Sequence, residues 1–158
     1  MNQPRRREVE RFIHVDSRDF HNLVESKYEI LFGSNNIPDQ KSNIPIQDYN
    51  NVIKLELKAF MSDKPVDEDY VIFKIKNVDG KVDTTTGVVD ACTVCYFDPN
   101  GKKPIYFGGT EFEFNPPIAK LSKLQVDVVK HDGSFCTINE TKTQSFLLKI
   151  TYIEGNLY

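Results

Sequence analysis

The chain has no tryptophan and only three cysteines among its 158 residues. Three cysteines are too few for a disulfide framework, and an odd number leaves at least one thiol unpaired. The composition therefore argues against a small secreted scaffold held together by disulfides. Reduced thiols are instead typical of a protein made in a cytoplasm-like compartment, which is where the sequence predicts its synthesis.

Long hydrophobic runs are also missing from the chain. No apolar stretch approaches the roughly 20 residues that a membrane-spanning helix needs. The opening residues 1–4, followed by three arginines, lack the apolar segment of a secretory signal peptide. The sequence thus predicts neither a membrane span nor secretion.

An excess of charge of one sign is likewise absent, since the formal net charge is only −3. That balance argues against a general nucleic-acid binder. The exception is a run of three cations, Arg5, Arg6 and Arg7. These arginines are suited to contact nucleic acid, an anionic inner membrane or an acidic patch on a partner protein. The alternative is that they form only a disordered, solubilising terminus.

The chain is rich in stretches where apolar and polar residues alternate, a pattern typical of strands with one buried face. Turn sequences separate these stretches at roughly 8–12-residue spacing, and no convincing amphipathic helix exceeds two turns. We therefore predict an all-β fold, an antiparallel β-sandwich of about eight strands. A chain reversal is expected at Asp132-Gly133, and Asn115-Pro116-Pro117 is expected to end a strand. The clearest alternating runs are residues 53–59, 71–75, 111–114, 124–128 and 146–150.

The first 50 residues differ in character from the rest of the chain. Between residues 33 and 51 the composition shifts to Asn, Asp, Ser, Gln and Pro, which predicts loop or extended structure. We predict an extended N-terminal arm, residues 1–50, ahead of a β-sandwich domain, residues 51–158. Deleting residues 1–25 is then expected to weaken assembly while leaving the sandwich folded. Candidate interaction residues in the arm are Arg5, Arg6, Arg7, Phe12 and Arg18.

The pair Cys92 and Cys95 has the spacing of a redox or metal motif. A thioredoxin-like site would need a following helix, and a zinc site would need a second ligand pair. Neither is present in the sequence, and the pair lies within an apolar run that is typical of a central strand. We therefore predict two buried, unreactive thiols on opposite faces of a sheet.

Other residues with catalytic or ligating chemistry are scattered. No serine lies in a nucleophile-elbow context, and no glycine-rich phosphate loop is present. Residues 67–69 are acidic but lack the alternating pattern of a calcium loop, so a solvated loop is favoured. His131 is expected to be a solvated turn residue. The sequence predicts no catalytic residues, no cofactor and no metal.

Two blocks of the chain resemble a known family. Residues 11–20, RFIHVDSRDF, and residues 114–133, FNPPIAKLSKLQVDVVKHDG, followed by SFLLKI, are similar to small capsid-associated proteins of giant viruses and other nucleocytoplasmic large DNA viruses. In that family the first block belongs to an N-terminal arm and the second to the end of a single jelly-roll domain. The chain departs from the family pattern at Phe20, where the arm usually continues with a charged residue.

The resemblance implies a non-enzymatic virion protein made in the host cytoplasm, either a penton subunit or a minor capsid protein. Its partners would be the major capsid protein and neighbouring copies of itself, as a homopentamer in the penton case. The alternative is a carbohydrate- or ligand-binding β-sandwich used in host attachment. An exposed aromatic platform formed by Tyr49, Tyr70 and Tyr106 would favour that alternative.

Overall fold

The structure is a computed structural model that describes residues 7–20, 23–32, 43–44, 49–63, 68–76, 78, 80–97, 104–106, 111–137 and 143–154. Within these residues it contains a short 3-10 helix, Ser17–Asp19, and ten β-strands. No helix in this part of the chain is long and apolar enough to cross a membrane. The strands are β1 (Arg7–Asp16), β2 (Lys27–Phe32), β3 (Asn43–Ile44), β4 (Tyr49–Ser62), β5 (Tyr70–Ile75), β6 (Thr93–Phe97), β7 (Pro104–Tyr106), β8 (Glu111–Leu121), β9 (Lys123–Val129) and β10 (Gln144–Glu154).

The strands form two sheets. The first sheet has the order β1-β10-β4-β8, and the second has the order β3-β2-β9-β5-β6-β7. All pairs are antiparallel except the two-residue pairing of β2 with β3. The predicted all-β, antiparallel β-sandwich is confirmed at this level.

The core lies between the two sheets, where apolar residues of β1, β2, β4, β5, β6, β8, β9 and β10 point inward. Phe73 of the second sheet contacts Phe60 and Phe146 of the first, with ring centroids 6.2 and 5.2 Å apart in edge-to-face geometry. The ring of Tyr28 lies 5.3 Å from that of Phe146 in the same arrangement. Fully burying each such side chain contributes roughly 1.5–3 kcal/mol. Aromatic contacts therefore join the sheets at their centre.

The early part of the chain contributes strands to the sandwich. β1 pairs with β10 along its whole length, from Arg7 opposite Glu154 onward, and β2 pairs with β9. Ile13 and Val15 of β1 are buried in the shared core. The structure thus differs from the extended arm that we predicted over residues 7–32. Residues 33–42 and 45–48 of that arm lie outside the described residues.

The outer face of the second sheet is partly covered by the loop of residues 80–91, hereafter the cover loop. Val82 and Ala91 exchange two backbone hydrogen bonds of 3.2 and 2.9 Å, which close the loop into a hairpin-like turn. Gly80, at the start of the loop, lies so close to the end of the loop that a Cβ atom there would be 2.1 Å from the Ala91 carbonyl oxygen. The loop buries a small second cluster that contains Ile72 and Val88.

The prolines of β8 lie inside a strand. Asn115-Pro116-Pro117, which we expected to end a strand, lies within β8. Among the strands that the structure describes, β8 is the edge of the first sheet, with β4 on one side only. The pairing of β8 with β4 also shifts register between Glu113 and Ile118, so the prolines lie in a bulge where their missing N–H groups interrupt no ladder. The turn at Asp132-Gly133 is confirmed, with Gly133 at a φ of +87°.

Candidate interaction surfaces

Arg7 is the one member of the arginine run within the described residues, because Arg5 and Arg6 lie outside them. The guanidinium of Arg7 donates to the Glu154 carboxylate over 2.8 Å, and both side chains are exposed. An exposed ion pair of this kind contributes little to stability. Arg7 therefore pairs the start of β1 with the end of β10.

Arg18 makes a local contact. Its guanidinium donates from Nε to Asp16 Oδ1 over 3.0 Å and from Nη2 to Asp16 Oδ2 over 2.6 Å. The same carboxylate accepts the backbone N–H of Arg18 and so caps the 3-10 helix. The Arg18 side chain holds the pKa of Asp16 below its usual range. Much of Arg18 still faces solvent, which leaves it accessible as a predicted contact residue.

Phe12 lies on the outer face of the first sheet with 55% of its surface exposed. It stands opposite Lys149 of β10, and the next outward residue of β10 is Leu147, which lies beside Ala59 of β4. Met61, also on β4, is 60% exposed. We call these residues, Phe12, Ala59, Met61 and Leu147, the outer patch.

Charged side chains border the outer patch. The Lys149 ammonium lies 3.3 Å from Glu10 and 3.5 Å from Glu56. Apolar residues surrounded by paired charges are typical of a protein contact surface. Sequence reasoning identified Phe12 but missed Met61 and Leu147, because both lie in apolar runs that look like core. Leu147 points outward and its neighbour Leu148 points into the core, as successive residues of a strand do.

A cleft lies on the outer face of the second sheet beside the cover loop, and the smaller of its two cavities also borders the turn of residues 130–135. It consists of two adjoining cavities of about 400 and 300 Å³, and Lys74 and Asp127 line both. These two residues stand directly opposite each other on β5 and β9. We call this feature the Lys74 cleft.

The floor of the Lys74 cleft is polar. Lys76 donates its backbone N–H to the Gln125 carbonyl over 2.9 Å, so these two residues form the next row beside Lys74 and Asp127. The amide of Gln125 donates from Nε2 to Asp127 Oδ1 over 3.2 Å. The ion pairs found within the described part of the chain involve neither Lys74 nor Lys76. Two cations, a carboxylate and an amide therefore meet at one surface.

The cysteines lie in the core. Cys92, Cys95 and Cys136 are free and buried, as predicted for the first two. Burial raises the pKa of Cys92 and of Cys95 to about 12. Both residues belong to the cluster between the sheets, so the expectation that they face opposite sides was wrong. Cys92 precedes β6 at a bend, which breaks the alternation on which that expectation depended.

His131 forms a contact that the sequence did not reveal. Its Nδ1 lies 2.7 Å from Oε1 of Glu68, whose side chain is almost fully buried. The interpretation of residues 67–69 as a solvated loop is therefore wrong for Glu68. The contact ties the turn of residues 130–135 to the start of β5. Within the described residues no group of three His, Cys, Asp or Glu side chains is placed to hold a metal ion.

The tyrosine platform differs from the expectation. Tyr49 is buried and packs edge-to-face against Phe32 and Tyr152, so it is no part of a surface platform. Tyr70 instead lies 5.8 Å from Tyr96, measured between ring centroids. The side chain of Tyr106 is outside the described residues.

Comparison of the chain with protein-family models and with curated protein sequences gives no match. The resemblance to capsid-associated proteins therefore stays a prediction.

Proposed function

We propose that the chain is a non-enzymatic structural protein of an icosahedral virus capsid. In this proposal it is a single jelly roll that serves as a penton subunit or as a minor capsid protein. Its partners are neighbouring copies of itself and the major capsid protein.

The strand pairing is the structural observation that supports a single jelly roll. When the two short strands β3 and β7 are set aside, the remaining eight pair from the outside inward: β1 with β10, β2 with β9, β4 with β8 and β5 with β6. This is the pattern of one long hairpin. Rolling that hairpin brings β10 beside β4 and β9 beside β5, as in both sheets here. A rolled hairpin of eight strands is the connectivity of a jelly roll, a fold common in viral capsids.

Jelly rolls also occur in lectins and cupins, so the fold alone does not select a function. The resemblance of residues 11–20 and 114–133 to capsid-associated proteins is what favours the capsid. In the structure the first of these blocks spans most of β1 and the short turn after it, and the second spans β8 to the Asp132-Gly133 turn. The two blocks thus lie in the sandwich, rather than in an arm and a domain.

The outer patch is the surface that we propose for assembly. Burying one exposed Phe or Met in an interface contributes roughly 1.5–3 kcal/mol. In a closed five-membered ring the contacts are heterologous, so the outer patch of one copy would meet a different surface of the next. Arg5 and Arg6 are proposed as additional contacts to an acidic partner surface or to an inner membrane.

The mass of the protein in solution tests this proposal. We expect sedimentation analysis to show a pentamer for a penton subunit, and we expect Phe12→Ser to shift it toward monomer. Val24→Ser is the matched control, because Val24 is 67% exposed but lies outside the outer patch. A minor capsid protein would instead be a monomer that binds the major capsid protein through Phe12. A monomer with no such binding would contradict the proposal.

A further inference from the structure

The walls of the Lys74 cleft are held by specific contacts. The hydroxyl of Thr86 in the cover loop donates to the carbonyl of His131 in the facing turn. Val88 lies against Gly133, where a Cβ atom would be 3.4 Å from the Val88 side chain. The contact of His131 with buried Glu68 fixes the turn from the other side. Because both walls are tied together, the cleft exists before any ligand arrives, as is usual for small-molecule sites.

The cations of the floor are available for a ligand. Lys74 lies on β5 and Lys76 directly follows that strand, where its backbone N–H still pairs with Gln125 of β9. Their side chains therefore leave the same face about 7 Å apart. Lys74 is half-buried and Lys76 is exposed, and the ion pairs among the described residues involve neither ammonium group. An ammonium partly withdrawn from water favours an anionic oxygen that can restore its hydrogen bonds. These two lysines therefore suit a carboxylate.

The acceptors of the floor suit hydroxyl groups. Because Gln125 Nε2 donates to Asp127 Oδ1, the side-chain oxygen Oε1 of Gln125 and Oδ2 of Asp127 face the cleft as acceptors for a ligand. A carboxylate and an amide oxygen side by side accept hydroxyl protons. Phe135 and Val88 add an apolar strip to the lining. Such a strip suits the C–H face of a sugar ring.

From this arrangement we propose that the Lys74 cleft binds an acidic sugar, a small ligand that carries one carboxylate and several hydroxyl groups. The carboxylate is bound by Lys74 and Lys76, and the hydroxyls donate to Asp127 and Gln125. The two cavities, of about 400 and 300 Å³, are large enough for a sugar of one or two rings. This binding is separate from assembly through the outer patch.

The same groups disfavour other ligand classes. Three carboxylates, Asp90, Asp127 and Asp132, also line the cleft, so a doubly charged phosphate would be repelled more strongly than a singly charged carboxylate. A metal cation would be repelled by the two lysines. A neutral sugar would leave both ammonium groups without an anionic partner.

Titration of the full chain with sodium glucuronate, followed by amide chemical shifts in NMR spectra, tests the proposal. We expect saturable shifts confined to β5, β9, the cover loop and the facing turn. Glucose supplies the hydroxyls without the carboxylate, and acetate supplies the carboxylate without the ring. Each should bind at least about tenfold more weakly, since each lacks charge-assisted or neutral hydrogen bonds that glucuronate makes. No saturable shifts with glucuronate, or equal binding of acetate, would overturn the proposal.

Variants locate the site. Lys74→Gln and Asp127→Asn should each weaken glucuronate binding about tenfold or more, the effect of losing one charge-assisted hydrogen bond. Lys54→Gln, a change of the same kind on β4 of the other sheet, should leave affinity unchanged. Each variant's spectrum reports whether it is folded, and Lys76→Gln replaces Lys74→Gln if the latter unfolds. Unchanged affinity in a folded variant at position 74 or 76 would show that glucuronate binds elsewhere.

Discussion

At the scale of single residues, buried polar groups link the two sheets. The hydroxyl of Tyr28 on β2 donates to Oε1 of Gln144 on β10 over 2.6 Å. The backbone N–H of Gln144 in turn donates to the Ser17 hydroxyl over 3.0 Å. Burial raises the pKa of Tyr28, because a phenolate would lose its hydration in the core. The neutral phenol therefore persists as a donor that fixes β2 against β10.

The buried thiols give a prediction for alkaline pH. The pKa of Cys92 and of Cys95 is about 12 in the folded chain, above an ordinary value of 9.0. Between these values the unfolded chain releases protons that the folded chain retains. The free energy of unfolding should then fall as pH rises, by about 1.4 kcal/mol per pH unit for each thiol, while below about pH 9 the thiols contribute no slope.

Urea unfolding at a series of pH values measures this slope. The double variant Cys92→Ala, Cys95→Ala is the control, because it keeps the other titrating groups and removes the two thiols. We expect a smaller loss of stability at high pH in the variant. An identical slope in both proteins would contradict the predicted thiol contribution.

At the scale of elements, β1 is an integral strand whose two faces differ. Ile13 is buried in the core, whereas its neighbour Phe12 is exposed. We expect Ile13→Ala to lower the free energy of unfolding by about 2–5 kcal/mol, the range for a truncated core side chain. Phe12→Ala should change it by no more than about 0.5 kcal/mol. Urea denaturation of the two variants checks this, and equal effects would contradict the assignment of faces.

The pairing of β1 with β10 changes the result that we expect from deleting residues 1–25. Deleting residues 1–25 removes all of β1, and with it the partner of β10 along one edge. We now expect the truncated chain to lose its fold, rather than to lose assembly alone. The outer patch on the intact chain is therefore a better place to test assembly.

The sequence predicts some elements well and others poorly for physical reasons. β5, β9 and β10 each bury three alternate apolar residues, as their alternation predicted. In β4 the register shifts, so Val52 and Phe60 are buried while Ala59 is exposed, which differs from the alternation predicted over residues 53–59. In β1 only Ile13 and Val15 are buried, because the strand's first six residues are more exposed. Two apolar positions are too few to distinguish a strand from an arm.

The candidate surfaces depend on which residues of neighbouring strands lie opposite each other. The alternation of apolar and polar residues within one strand does not reveal this. Lys74 and Asp127 are far apart in sequence, and they meet only because β5 pairs with β9. Likewise, Phe12 and Leu147 share a face because β1 pairs with β10. The pattern within one strand tells which residues point outward, but the partner strand decides which of them become neighbours.

At the scale of the whole molecule, the pairing is dominated by distant parts of the chain. The first strand pairs with the last, and the second with the last but one. Folding must therefore close long loops, which costs conformational entropy of the chain before the strand contacts can stabilise the fold. Such a topology is typical of domains that fold in milliseconds to seconds rather than microseconds.

Because Arg7 lies opposite Glu154, the start of β1 and the end of β10 are adjacent in space. These two points can therefore be joined covalently and the chain opened elsewhere without changing which strands pair. A two-residue Asn-Gly turn should join Glu154 directly to Arg7 as a tight hairpin. The chain can then be opened between Thr85 and Thr86, in the exposed tip of the cover loop. We expect this circular permutant to fold with a similar midpoint in urea, because no strand is cut. A second permutant opened between Ile72 and Phe73, inside β5, should fail to fold; failure of both would contradict the prediction.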